Sequence, residues 1–166
     1  MSNVNMYLKL KLTKGGLVKG AATADGHLEE ILLDSIRWGE ENSAALGGKS
    51  GSVSVRNFEF TKKMCPASVQ ILLACANCDV VQEAVISCRA ANSTEKVDFL
   101  KWTMTDGVVS LYEMEAPLKD SGVPGERVRI RFRTLAVEFK PRTSDGKMVA
   151  GAMSARLDVA GNIATA

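Results

Sequence analysis

The sequence predicts a mainly β chain carrying a single α-helix. Two observations carry this reading. Short alternating apolar and polar stretches separated by glycine, asparagine and aspartate turns recur along the chain, the pattern of half-buried strands. Only Thr61–Asn77, TKKMCPASVQILLACAN, combines an entry proline with helical apolar spacing. A β body with one helix packed on it follows.

The first strand is carried by Met6, Leu8, Leu10 and Leu12, which alternate with Tyr7, Lys9 and Lys11. Gly15-Gly16 turns it. A second strand is expected around Leu28–Gly39, where the contiguous Ile31, Leu32 and Leu33 predict partial cover on both faces. Trp38-Gly39 closes it. Glu40–Ser52, EENSAALGGKSGS, reads as a loop too long for an ordinary hairpin connection. In the next strand, Val53 and Val55 differ in parity from Phe58 and Phe60, so a bulge or bend is expected between Val55 and Phe58.

The helix is predicted over about residues 65–77. Pro66 suits a first helical position. Val69, Leu72, Leu73 and Ala76 recur at i, i+3, i+4 and i+7, which nominates them as its packed face. Asn77 is expected to end it in a left-handed conformation. Strands are then predicted at Val80–Ala91, Val97–Thr105 and Val108–Glu115, with turns at Asn92-Ser93-Thr94 and Asp106-Gly107. Asp-Gly between two apolar strands is a hairpin signal. After a Pro/Gly loop at Lys119–Gly125, the longest strand runs from Glu126 to Lys140. Its apolar parity switches beyond Thr134, so it changes its buried face midway. One domain, 1–166, is expected, with residues 142–166 a looser segment holding one weak strand near Met153–Val159.

Function classes narrow by composition. A net charge of +2 with mixed signs exerts no strong pull on nucleic acid or an anionic membrane. No apolar run approaches membrane-spanning length, so no membrane insertion is expected. The N-terminus lacks the segments of a signal peptide. The expectation is therefore synthesis and folding in the cytoplasm, with any export by a route that needs no signal peptide.

No catalytic set emerges. The one histidine, His27, sits in an Asp-Gly-His turn and is expected to be structural. Gly47-Gly48-Lys49-Ser50 resembles the end of a phosphate loop, but Asn42 stands where the first glycine belongs and no helix follows. Cys75 and Cys78 form C-x-x-C at the wrong end of the helix for a low-pKa thiolate. Cys65 and Cys88 do not complete a zinc pattern. The four cysteines are expected to be free thiols, with Cys75 and Cys88 buried. No metal or cofactor is expected. Arg127, Arg129, Arg131 and Arg133 alternate with apolar residues and read as a solvated face, since no aromatic residues interleave with them. Apolar groups on both faces of Ile31–Leu33, Phe99-Leu100 and Val108-Val109 call for cover by the helix or a neighbouring subunit.

These residues resemble the haemolysin-coregulated protein family of bacterial type VI secretion over nearly the whole chain. Gly20, Thr23, His27, Ile31, Trp38 and Gly39 fit its early block, although Ala21, Ala22 and Glu30 depart from it. Phe58, Phe60, Thr61 and Lys62 fit its F-x-F-T-K. Pro66, Leu72, Ala74, Cys75 and Ala76 fit its helix, with Met64-Cys65 in place of its usual aspartate and Pro66 early. Glu83-Ala84-Val85, Cys88 and Arg89 fit its next strand. Thr105-Asp106, Val108-Val109-Ser110, Tyr112, Phe132, Phe139, Lys140, Pro141, Asp145 and Gly146 fit the rest.

The resemblance implies a compact antiparallel β-barrel of two sheets with one flanking helix, and a structural, non-enzymatic tube subunit. Six copies form a ring and rings stack. The implied partners are other copies of the chain, a spike protein, a contractile sheath and secreted effectors carried in the lumen, with no nucleic acid. The implied destination is outside the cell or in a target cell. Alternation makes Arg37 a candidate lumen-facing residue opposite Ile36 and Trp38, and a basic lumen would favour acidic cargo. Glu40, Glu41, Asn42, Ser43, Lys49 and Ser50 are candidate ring-stacking contacts in the long loop. The alternatives are a stand-alone β-barrel module binding a small ligand or nucleic acid, and a metal- or redox-active cysteine protein.

Overall fold

The computed structural model describes residues 4–43, 53–91, 96–115, 122–143, 147, 149–161 and 163–165. Lys49 and Ser50, with the rest of 44–52, lie outside the described residues, as do the expected turn at 92–94, Asp145-Gly146 and residues 119–121 of the 119–125 loop.

β1 (Val4–Leu12) buries Leu8, Leu10 and Leu12 and exposes Lys9 and Lys11, as its alternation requires. It pairs antiparallel with β2 (Gly16–Val18), β3 (Ile31–Leu33) and β8 (Val80–Ala90). The turn after β1 is clamped from outside itself. Buried Asp79 accepts the N–H groups of Lys14 and Gly15 at 3.0 and 2.9 Å.

The strand expected over Leu28–Gly39 is two short strands. β3 lies on β1, whereas β4 (Ser35–Arg37) lies on β7 (Phe58–Lys63). Between them the Asp34 N–H donates to Thr61 O at 2.8 Å, so the chain changes partners there. Cover on both faces of β3 is not met within one chain: Ile31 and Leu33 are buried and Leu32 is 49% exposed. The expected loop at Glu40 is corrected too. Glu40–Asn42 form β5, paired with β6 (Val53–Val55) in a ladder of its own. The bend expected before Phe58 falls at Arg56-Asn57, where β6 ends and the Arg56 N–H donates to Gly39 O.

The helix α1 spans Ser68–Ala76, shorter than expected, with Pro66 in the turn that leads into it. Its packed face is not the one the spacing nominated. Ser68, Ile71 and Ala74 are buried, whereas Val69, Leu72 and Leu73 are 58%, 45% and 52% exposed. Nor is Asn77 left-handed. Its φ is −97°, and Cys78 takes the positive φ of 49°.

The Asp106-Gly107 hairpin does not exist. β9 runs unbroken from Asp98 to Glu115. Asp106, at φ 52°, kinks it instead. Below the kink β9 lies between β8 and β11 (Thr134–Phe139); beyond it β9 pairs with β10 (Gly125–Arg131). Residues β10 and β11 thus make the expected long strand, broken at Phe132-Arg133, and the change of buried face is real. The C-terminal segment holds β12 (Met153–Asp158), where a weak strand was expected, and β13 (Ile163–Thr165), which was not.

The ladders form one branched 11-stranded antiparallel sheet, plus the β5–β6 pair, where two sheets were expected. The sheet runs β13-β12-β11-β9-β10-β7-β4, with β8, β1, β2 and β3 branching from β9. Its core gathers Leu8, Leu10, Ile31, Phe58, Phe60, Ile71, Ile86, Met104, Ile130 and Leu135.

The kink predicts a sensitive glycine. A Cβ at Gly107 would sit 2.6 Å from the Arg131 carbonyl oxygen. Gly107→Ala should cost about 1–3 kcal/mol, read as a lower urea midpoint with an unchanged slope.

Candidate functional site

Two polar centres organise the molecule, and an arginine-lined cleft lies apart from them. The first surrounds His27. Its ring is buried and stacks on Tyr7 with centroids 4.1 Å apart. Nδ1 lies 2.7 Å from a Glu30 oxygen and Nε2 lies 2.9 Å from an Asp98 oxygen. Arg89 donates to the same Asp98 oxygen at 3.0 Å and to the Asp25 carbonyl at 2.8 Å. Every ring position is thus used to hold the 25–30 segment against β1 and β9, which is a structural role.

The second centre lies under the start of α1. Lys62 and Glu126 are buried and form a direct ion pair. Both sit at core-facing positions, Lys62 in line with Phe58 and Phe60, Glu126 with Val128 and Ile130. Ser68 completes the pair. Its hydroxyl accepts from Lys62 Nζ and from the Cys65 N–H, each at 2.9 Å, and donates to Glu126 Oε2 at 3.0 Å. Tyr112 donates to Glu126 Oε1 at 2.8 Å. Lys62 also donates to the Lys63 carbonyl at 3.2 Å. One hydroxyl, one ammonium and one carboxylate therefore use their hydrogen-bonding capacity together. Burial, then the bond to Glu126, pushes the Tyr112 phenol up to about 12. With its proton turned to Glu126 and its oxygen accepting from Lys62 and the Cys65 N–H, the Ser68 hydroxyl ties the cluster together rather than pointing at an open site.

On the solvent side of β4, β7 and β10 is a cleft of about 680 Å³. Registers set its rows. Arg37 stands opposite Glu59, and Glu59 opposite Arg129. Arg37, Arg56, Arg127 and Arg129 line it, with Glu59 the one carboxylate on its wall among the described residues. Arg129 Nε reaches Glu59 at 2.5 Å and Arg127 Nε at 3.8 Å. Arg127 also meets Glu113 at 3.3 Å.

The expected site residues divide. Arg37 is exposed, on the face opposite Ile36 and Trp38, which pack against the core. Glu40, Glu41 and Asn42 are exposed on β5, and Ser43 is exposed just beyond it. All four of Arg127, Arg129, Arg131 and Arg133 are exposed, but two of them share the cleft with Arg37, which sequence spacing did not bring together. Cys88 is buried, and burial with the nearby Asp98 charge pushes its thiol up to about 11. Cys75 is only half-buried and Cys78 is exposed, so burial holds for Cys88 alone of the expected pair. Among the described residues no three side chains come together as metal ligands.

Two predictions follow from the network. Lys62→Met should destabilise by about 3–5 kcal/mol, because Glu126 is left buried without its counter-charge. Lys62→Met with Glu126→Gln should recover at least half of that loss in chemical denaturation. The Tyr112 phenol is raised in the folded state, so its contribution is complete below the ordinary tyrosine range. Stability should fall as pH rises from about 10 toward 12. Tyr112→Phe should remove that part of the decline.

Comparison with known proteins completes the picture. Residues 7–139 match the family model described as the type VI secretion system effector Hcp. Protein hcp1 of Pseudomonas aeruginosa is 25% identical over 149 residues, covering 86% of this chain and 87% of that protein. Among solved structures, a type six secretion system protein superposes with a TM-score of 0.85 at 21% identity, over 97% of this chain and 99% of that one. Hcp1 from Salmonella typhimurium gives 0.76 at 24% identity, over 98% and 99%. Since the family model spans most of its length, the chain belongs to the Hcp family of the type VI secretion system.

Proposed function

We propose that this chain is a structural subunit of the type VI secretion tube, in which six copies close into a ring and rings stack around a lumen that carries effectors. The observation that carries this reading, beside family membership, is the outer face of α1. Val69, Leu72 and Leu73 are exposed, and no charged side chain occurs anywhere in the helix. A contiguous apolar face on a folded chain calls for a partner. Contacts that repeat by rotation cover such a face on every copy and close a ring. The exposed Leu32 of β3 adds apolar surface elsewhere on the molecule.

In this reading the chain segment that passes from β1 to β7 at Asp34 closes the strands into a barrel. The face bearing Arg37 becomes the lumen wall. The β5–β6 pair and the residues beyond it, Glu40, Glu41, Asn42, Ser43, Lys49 and Ser50, reach the next ring. Ordering such a loop costs entropy that stacking contacts offset. The subunit is made in the cytoplasm and leaves with the tube, behind a spike and inside a contractile sheath, without performing catalysis.

The test is a pair of variants followed by particle mass and electron-microscope class averages. Leu72→Glu with Leu73→Glu should convert rings to single copies while the fold persists. Replacing Glu41–Gly51 with a short turn should leave rings intact and reduce stacking and secretion. Rings that survive the first variant would remove the helix from the lateral contact. Loss of rings in the second would move the loop there.

A further inference from the structure

We propose that the cleft between β4, β6, β7 and β10 binds an acidic segment of protein cargo, holding its side-chain carboxylates with Arg37, Arg56, Arg127 and Arg129. The identification of the occupant as cargo rests on the reading of this face as lumen wall; the anion chemistry does not.

Charge in the cleft is unbalanced. Among the described residues, four guanidinium groups line it against a single carboxylate, Glu59. That carboxylate is shared, at 2.5 Å from Arg129 and 3.8 Å from Arg127. Arg56 reaches Glu41 only at 3.5 Å, with both side chains mostly in solvent. Such an exposed pair exchanges readily for another carboxylate. Among the described residues Arg37 has no ion-pair partner, although it stands in the same row as Glu59 and Arg129. Trp38 lines the same cleft, and its indole N–H is buried with no acceptor among the described residues. Arg37 is therefore open to an incoming anion, whereas the buried Trp38 N–H faces away from solvent.

Glu59 shows what the cleft accepts. A carboxylate already lies between two of its arginines, and planar guanidinium forks match a carboxylate in both spacing and charge. Arginine clusters of this kind recognise acidic or phosphorylated motifs. A volume of about 680 Å³ accommodates several residues, not a lone ion. Among the described residues its one aromatic lining residue, Trp38, is half-buried, so successive bases find no stacking platform. The chemistry therefore favours an acidic peptide over nucleic acid. Glu59 acts as an internal competitor that an incoming carboxylate displaces.

The experiment titrates the purified full-length protein with a glutamate-rich decapeptide, a neutral decapeptide, inorganic phosphate and single-stranded DNA. Binding is read by calorimetry at low and physiological salt, and particle mass is measured on the same samples. The acidic peptide should bind saturably, and more weakly as salt rises. Arg37→Gln with Arg56→Gln should weaken it by about tenfold or more, without changing thermal unfolding. Glu59→Gln should tighten it several-fold, because the competing carboxylate is gone. The proposal is overturned if the acidic peptide does not bind, if the double arginine variant binds equally well, or if phosphate or DNA binds as tightly as the peptide. Rings without peptide binding overturn the cleft alone. Peptide binding by a protein that forms no rings supports the cleft and overturns the tube reading instead.

Discussion

One buried ion pair seats the helix and, through its register, arranges both outer faces of the molecule. Lys62 and Glu126 lie in the interior of β7 and β10, where taking each charge out of water costs several kcal/mol. The cost is offset only because nearly every lone pair and proton finds a partner: Ser68 links both charges, Tyr112 caps the carboxylate, and Lys63 supplies a carbonyl. A hydrophobic replacement would hold the strands together as well. What the polar pair adds is a fixed seat for the first residue of α1, since the Ser68 hydroxyl meets Lys62, Cys65 and Glu126 together.

Seating α1 decides which way its apolar residues point. With Ser68 inward, Ile71 and Ala74 follow it into the core, and Val69, Leu72 and Leu73 must face out. The same strands arrange the opposite surface. Since side chains alternate along β7 and β10, putting Lys62 and Glu126 inside puts Glu59, Arg127 and Arg129 outside. The outward helix face and the arginine cleft are thus two consequences of one register. The kink at Asp106-Gly107 serves the same end, letting β9 pair with β8 and β11 below it and with β10 above it.

Much of this was legible in the sequence, and the failures have physical causes. Alternation located β1, and the parity switches located the bend before Phe58 and, placed slightly late at Thr134, the break at Phe132-Arg133. The helix was legible but its face was not, because an almost wholly apolar helix satisfies helical spacing on more than one side. Asp-Gly was read as a hairpin and instead marks a positive φ at Asp106 inside one strand. Whether that residue turns a hairpin or kinks a strand is decided by strands distant in sequence. Lys62 and Glu126 were readable in principle, as charged residues at apolar parity between Phe60 and the helix, and between the strand start and Val128. The cleft was not readable, because Arg37 and Arg129 meet only through the β4–β7–β10 register.

The central claim is that this chain is folded to leave apolar surface for copies of itself. The most direct measurement is the mass of the unmodified protein in solution by sedimentation velocity, with class averages of the same sample. The account predicts six-copy particles with a central hole. A single-copy species at every concentration, with the face of Val69, Leu72 and Leu73 open to solvent, would contradict it.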